Sequence, residues 1–102
     1  MAERIELTQS AFEILGRKWN GLIIQSLLDS SRGSLHFAEL SRNVRACSDR
    51  VLTVRLKELE DADIIERVCC PDNGKLGYRL TKKGGSMRPL MSEISTWAAK
   101  NI

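Results

Sequence analysis

The chain has one histidine, His36, and three cysteines, Cys47, Cys69 and Cys70. A single imidazole cannot build a multi-histidine metal site or a histidine pair for acid–base chemistry. An odd number of cysteines, two of them adjacent, is a poor disulfide framework and suits a reducing compartment. No Cys-x-x-Cys or comparable ligand spacing occurs, and no thiol is placed beside a base. Neither a metal site, a cofactor nor an enzyme built on the cysteines is expected. Apolar runs are short: Gly21-Leu22-Ile23-Ile24 is typical, far below the roughly 20 residues that cross a bilayer. Met1-Ala2-Glu3-Arg4 opens no secretory signal, so a cytoplasmic protein without membrane association is expected.

What is present is a chain of 102 residues, 42% hydrophobic and 28% charged, which places it in the globular range and makes residues 1–102 a single domain. Sixteen Lys and Arg against thirteen Asp and Glu give a net charge of +3, too small an excess to indicate a polyanionic partner by itself. The distribution of the charge is more informative than its sum.

Ser10 followed by Glu13 has capping-box spacing, and Ala11, Ile14 and Leu15 form a short apolar face closed by Gly16, which predicts a short first helix. Trp19, Leu22, Ile23, Ile24, Leu27 and Leu28 recur at helical steps, predicting a buried helix over residues 18–28. Residues 34–37 read as a short strand leading into a two-turn helix with Leu40 and Val44 one turn apart. Ser48 offers an N-cap to a helix reaching about residue 61, with Val51, Leu52, Leu56 and Leu59 as its apolar stripe. Two strands then flank Asn73-Gly74, the signature of a two-residue hairpin turn. Thr81 can cap a last helix carrying Met87, Leu90, Met91, Ile94 and Trp97, with Pro89 imposing a bend or a late start. Two helices joined by a short turn and followed by a hairpin make a winged helix-turn-helix, a mainly α member of the α+β class with helices added at both ends.

On a helical wheel with Leu52 toward the core, Arg50, Thr53, Val54 and Lys57 fall together on the opposite side. Residues 42–57 contain five basic side chains, Arg42, Arg45, Arg50, Arg55 and Lys57, against Asp49 alone, whereas residues 58–66 contain five acids. A helix entering a major groove by its N-terminus would bring that basic start to the DNA and hold the acids away. Arg42, Arg45, Ser48, Arg50, Thr53, Val54 and Lys57 are therefore the candidate contacts, with Lys75 at the hairpin tip for a flanking phosphate or the minor groove. The stripe of Met87, Leu90, Met91, Ile94 and Trp97 is broad enough for two partner surfaces, and Phe12 and Leu15 on the first helix are its natural mates in a symmetric dimer.

Leu15-Gly16-Arg17-Lys18-Trp19, Phe37-Ala38-Glu39-Leu40, Arg50-Val51-Leu52-Thr53-Val54-Arg55-Leu56-Lys57-Glu58-Leu59-Glu60 and Tyr78-Arg79-Leu80-Thr81, in this order, closely resemble the HxlR family of bacterial winged-helix transcription regulators. The resemblance implies a homodimeric repressor or activator of transcription, paired through its first and last helices, acting on double-stranded DNA and open to an unknown small-molecule effector. It also raises an alternative, a thiol-based sensor of oxidants or electrophiles using Cys69 or Cys70. Two departures matter. Where redox-sensing relatives carry a cysteine upstream of the Leu-Gly-x-Lys-Trp segment, this chain has Glu6, Leu7 and Thr8. Where the family often has Gln in the reading helix, it has Val54, which cannot bond an adenine but can touch a thymine methyl.

A two-residue turn at Asn73-Gly74 would pair Asp72 with Lys75, Cys70 with Gly77 and Cys69 with Tyr78. That register predicts Cys69 buried on the Tyr78 face and Cys70 exposed.

Overall fold

A computed structural model describes residues 3–70 and 74–102. The elements run α1 (Arg4–Leu15), α2 (Asn20–Asp29), β1 (Leu35–His36), α3 (Phe37–Asn43), α4 (Asp49–Asp61), β2 (Ile65–Cys69), β3 (Leu76–Leu80), α5 (Lys82–Gly85) and α6 (Arg88–Asn101). The three strands form an antiparallel sheet in the order β1-β3-β2. This is the winged helix-turn-helix that the periodicity implied, with α3 and α4 as the two-helix unit and β2–β3 as the wing.

The core is assembled from one face of each element. Ile23, Ile24, Leu27 and Leu28 of α2 meet Leu40 and Val44 from α3 and its C-cap, Leu52, Leu56 and Leu59 of α4, and Ile64, Ile65 and Tyr78 at the sheet. Each fully buried Leu or Ile contributes about 1.5–3 kcal/mol, so this contiguous cluster dominates the folding free energy. The terminal helices are different. α1 has no buried residue and α6 has one, Met91.

The start of α1 lies well ahead of the predicted cap. Ser10 is in mid-helix, its hydroxyl donating back to the Glu6 carbonyl at 3.1 Å. Residues 3–10 are all exposed, so no burial pattern marked them. α2 begins two residues later than the apolar spacing indicated because Trp19 has φ 82°, a left-handed conformation that a helix cannot contain. Ser48 caps α4 as expected, accepting from the Val51 N–H at 3.1 Å. Thr81 also caps, accepting from the Gly84 N–H, but the helix it starts is the four-residue α5; α6 follows separately, with Pro89 in its first turn where a missing N–H costs nothing.

The wing departs from the predicted register. Arg67 pairs with Tyr78, Val68 with Gly77 and Cys69 with Leu76, a shift of two residues. Cys70 N–H donates to the Lys75 carbonyl at 2.7 Å and Gly74 N–H to the Cys70 carbonyl at 2.8 Å, so the connection spans four positions, not two. Pro71, Asp72 and Asn73, and with them the predicted Asp72–Lys75 pairing, lie outside the described residues. The parity of the strand is kept, but the shift moves Cys69 outward past the packed part of the sheet. Cys69 is exposed and Cys70 is buried, the reverse of the expectation. Cys70 fills the space over Gly77, where a Cβ would lie 2.3 Å from its sulfur.

Candidate nucleic-acid interface

The turn between α3 and α4 is fixed by local polar contacts. Ser41 donates to Asp49 Oδ1 at 2.7 Å, tying the middle of α3 to the first turn of α4. At the start of α3 the Glu39 carboxylate accepts from the His36 backbone N–H at 3.0 Å and is paired with Arg32. Its pKa is held below the usual carboxylate range, first by that backbone hydrogen bond and then by Arg32, against an opposing effect of burial. With Leu52, Leu56 and Leu59 inward, the opposite face of α4 is open to solvent: Arg50, Thr53, Val54 and Lys57 are all exposed. Arg42 and Arg45, on α3 and in the turn, are exposed beside its N-terminal end.

Arg50, Thr53, Val54 and Lys57 thus share the solvent-facing side of α4, while Arg42, Arg45 and Ser48 are exposed in the segment leading into it, and these side chains differ in the partners they already hold. Arg42, Arg45 and Arg50 form no ion pair among the described residues. Lys57 pairs with Asp61 at 3.1 Å, an exposed i,i+4 contact worth only about 0.3–0.5 kcal/mol and easily exchanged for a phosphate. Thr53 donates its hydroxyl to the Asp49 carbonyl at 2.8 Å, and Ser48 uses its oxygen as the helix cap while its hydrogen stays available to an acceptor. Lys75 is exposed at the wing.

Arg55, counted by charge with the basic segment, turns the other way. Its Nε donates to the Lys18 carbonyl at 2.9 Å and its Nη1 to Glu58 Oε1 at 2.9 Å, while Arg17 Nη2 holds Glu58 Oε2 at 2.8 Å. The acids that follow also have structural partners: Glu60 near the end of α4 meets Arg67 at 3.3 Å, and Glu66 on β2 meets Arg79 of the paired strand β3 at 3.4 Å. This ion-pair belt was invisible to the wheel, and the Arg55–Glu58 spacing of three was its only local signal.

An apolar groove of about 720 Å³ lies between α1, α2 and α6, lined by Phe12, Leu15, Trp19, Leu22, Leu90 and Ile94 among others. Phe12, Leu90, Ile94 and Trp97 are exposed, Leu15 and Met87 are half-buried, and Met91 is part of the protomer's own core. Among the described residues there is no group of three or more His, Cys, Asp or Glu side chains able to hold a metal ion, and no helix is long and apolar enough to cross a membrane.

The chain matches the HxlR-like helix-turn-helix family over residues 14–102. It belongs to that family. The HTH-type transcriptional regulator YodB of Bacillus subtilis is 41% identical over 91 residues, covering 88% of this chain and 79% of YodB. Among solved structures, the reduced form of YodB superimposes with a TM-score of 0.79 at 36% identity, covering 99% of this chain and 95% of that one. The quinone-bound YodB does so with a TM-score of 0.77 at 35% identity, covering 98% and 99%. With family and fold both in place, this HxlR-like chain is a DNA-binding transcriptional regulator.

Proposed function

We propose that two copies of the chain pair through α1 and α6 and read an inverted repeat in duplex DNA, acting in the cytoplasm. α4 enters the major groove, with Arg50, Thr53, Val54 and Lys57 toward the bases and Arg42, Arg45 and Ser48 toward the backbone. The wing brings Lys75 to a flanking phosphate. The observation that carries this reading is the open face of α4, where solvent-facing cations stand opposite a leucine stripe buried in the core. No part of the proposal calls for catalysis.

The test is selection of duplexes from a random-sequence library by the purified protein, followed by titration at several salt concentrations. An enriched inverted repeat, bound with an affinity that falls steeply with salt, is the expected result. Absence of enrichment, with affinity set by salt concentration and not by sequence, overturns sequence-specific reading. The YodB structures include a quinone-bound form, which favours a second reading in which a small electrophile or other effector modulates this chain. That reading predicts a change in affinity for the enriched duplex when quinone is added.

A further inference from the structure

The clamp between the α1–α2 elbow and α4 gives Arg55 a role separate from the cations around it. Its side chain is 17% exposed, against 68% for Lys57 two residues on, and its guanidinium points away from the face that carries Arg50 and Lys57. Three hydrogen bonds close a ring: Arg55 donates to the Lys18 carbonyl and to Glu58, and Arg17 donates to Glu58. The ring begins and ends on neighbouring elbow residues and grips α4 at two points three residues apart. The leucine stripe holds α4 against the core, but apolar packing is non-directional and restrains rotation about the helix axis less than a forked, planar hydrogen-bonding group does.

The elbow is itself rigidly built. Asn20, 2% exposed, donates Nδ2–H to the Ile14 carbonyl at 2.8 Å, Gly16 N–H donates to the Phe12 carbonyl at 2.7 Å, and Asn20 N–H donates to the Arg17 carbonyl at 3.2 Å. Trp19 is held there at φ 82°, a conformation that is strained for an aromatic residue and persists only where its surroundings over-determine it. Lys18, whose carbonyl receives Arg55, also places Nζ 4.9 Å from the centre of the Trp19 ring.

We infer that Arg55 is a positioning residue, which sets the rotation of the reading helix relative to the helix that carries the dimer face, and that it touches no DNA. The inference rests on the proposed role of α4. Two reading helices on one protein dimer must fit two half-sites together, so specific binding depends on their angle, whereas phosphate attraction tolerates error.

The experiment uses the duplex enriched by the wild-type protein and an unrelated duplex of equal length. Arg55→Gln, Arg55→Lys and Arg50→Ala are measured at a temperature where circular dichroism shows each fully folded. For Arg55→Gln the expected result is about a tenfold loss on the enriched duplex, with binding to the unrelated duplex and the salt slope unchanged. Arg55→Lys, which keeps one of the two bonds, should recover part of the loss. Adding Glu58→Gln to Arg55→Gln should cost less than the sum of the two single effects, because both break the same ring. A fall in the salt slope of about one would make Arg55 a phosphate contact and overturn the inference. So would wild-type affinity in folded Arg55→Gln. Wild-type binding by Arg50→Ala instead removes the reading role of α4, and with it the premise.

Discussion

Gly77 sits where β3 crosses between its two neighbours, and a Cβ there would lie 2.3 Å from Cys70 Sγ and 2.8 Å from the Leu35 carbonyl oxygen. Gly77→Ala should therefore destabilise the fold by about 1–3 kcal/mol in urea unfolding, the usual cost of overpacking. Adding Cys70→Ala should recover only part, since the backbone oxygen stays. The same contact governs thiol chemistry. Cys70 is sealed against Gly77, and the Cys47 thiol is buried with its pKa pushed up by desolvation, which neighbouring Arg55 and Lys18 only partly oppose. Thiolate and solvent access are both needed for reaction, so brief iodoacetamide treatment should label Cys69 well before Cys47 and Cys70, a difference that denaturation erases. Cys69 is exposed at the end of β2, on the wing and not on the reading helix α4. Mild diamide should accordingly change affinity for the enriched duplex little; a large loss reversed by dithiothreitol and absent in Cys69→Ser would make this chain a thiol sensor.

Helix starts carry the angle between α3 and α4, and two side chains set them. Ser48→Ala should cost about 1 kcal/mol, the ordinary value of a lost N-cap. Glu39 adds a pH dependence with a definite sign. Its folded pKa lies below that of the unfolded chain, so its stabilisation is complete above the unfolded value of about 4.3 and fades as pH falls through the lower folded value. Glu39→Gln should thus be less stable than wild type at neutral pH, with the gap closing in urea titrations as pH falls below the ordinary carboxylate range. Both caps were legible in different degrees. Ser48 stood before an apolar stripe, whereas Glu39 reads as a capping residue only once His36 is known to end a strand. The wheel of α4 was legible because four inward residues repeat with its period. What escaped was set by backbone choices without a hydrophobic period: the left-handed Trp19, the unburied first turns of α1, and a wing connection twice as long as Asn73-Gly74 suggested. The ion-pair ring of Arg17, Arg55 and Glu58 escaped because it joins residues about 40 apart in the chain.

At the scale of the whole molecule, the burial is unevenly shared. α1 and α6, of 12 and 14 residues, contribute a single buried side chain between them. Phe12, Leu22, Leu90, Ile94 and Trp97 are each 44–61% exposed and most line or flank one groove. Helices of that length are marginal alone in water and gain their stability from packing, so an apolar face of this extent is stable when a second surface covers it. In the proposed dimer a second copy would provide that surface with its own α1 and α6, since a two-fold axis brings the same patch to itself. The symmetry has a consequence for DNA. Two reading helices related by a two-fold axis contact half-sites about 34 Å apart, one turn of the duplex. Ile94→Asp, on the exposed side of α6, should leave the protomer's core intact, because Met91 and not Ile94 is packed into it. By sedimentation it should be a monomer where the wild type is a dimer at micromolar concentration. On DNA it should bind an isolated half-site as wild type does, but lose at least about a hundredfold on the full repeat, where linkage of two sites raises affinity by 10²–10⁴. Wild-type sedimentation of Ile94→Asp would place the interface elsewhere, whereas a monomer that kept full affinity for the repeat would show that each half-site is read independently.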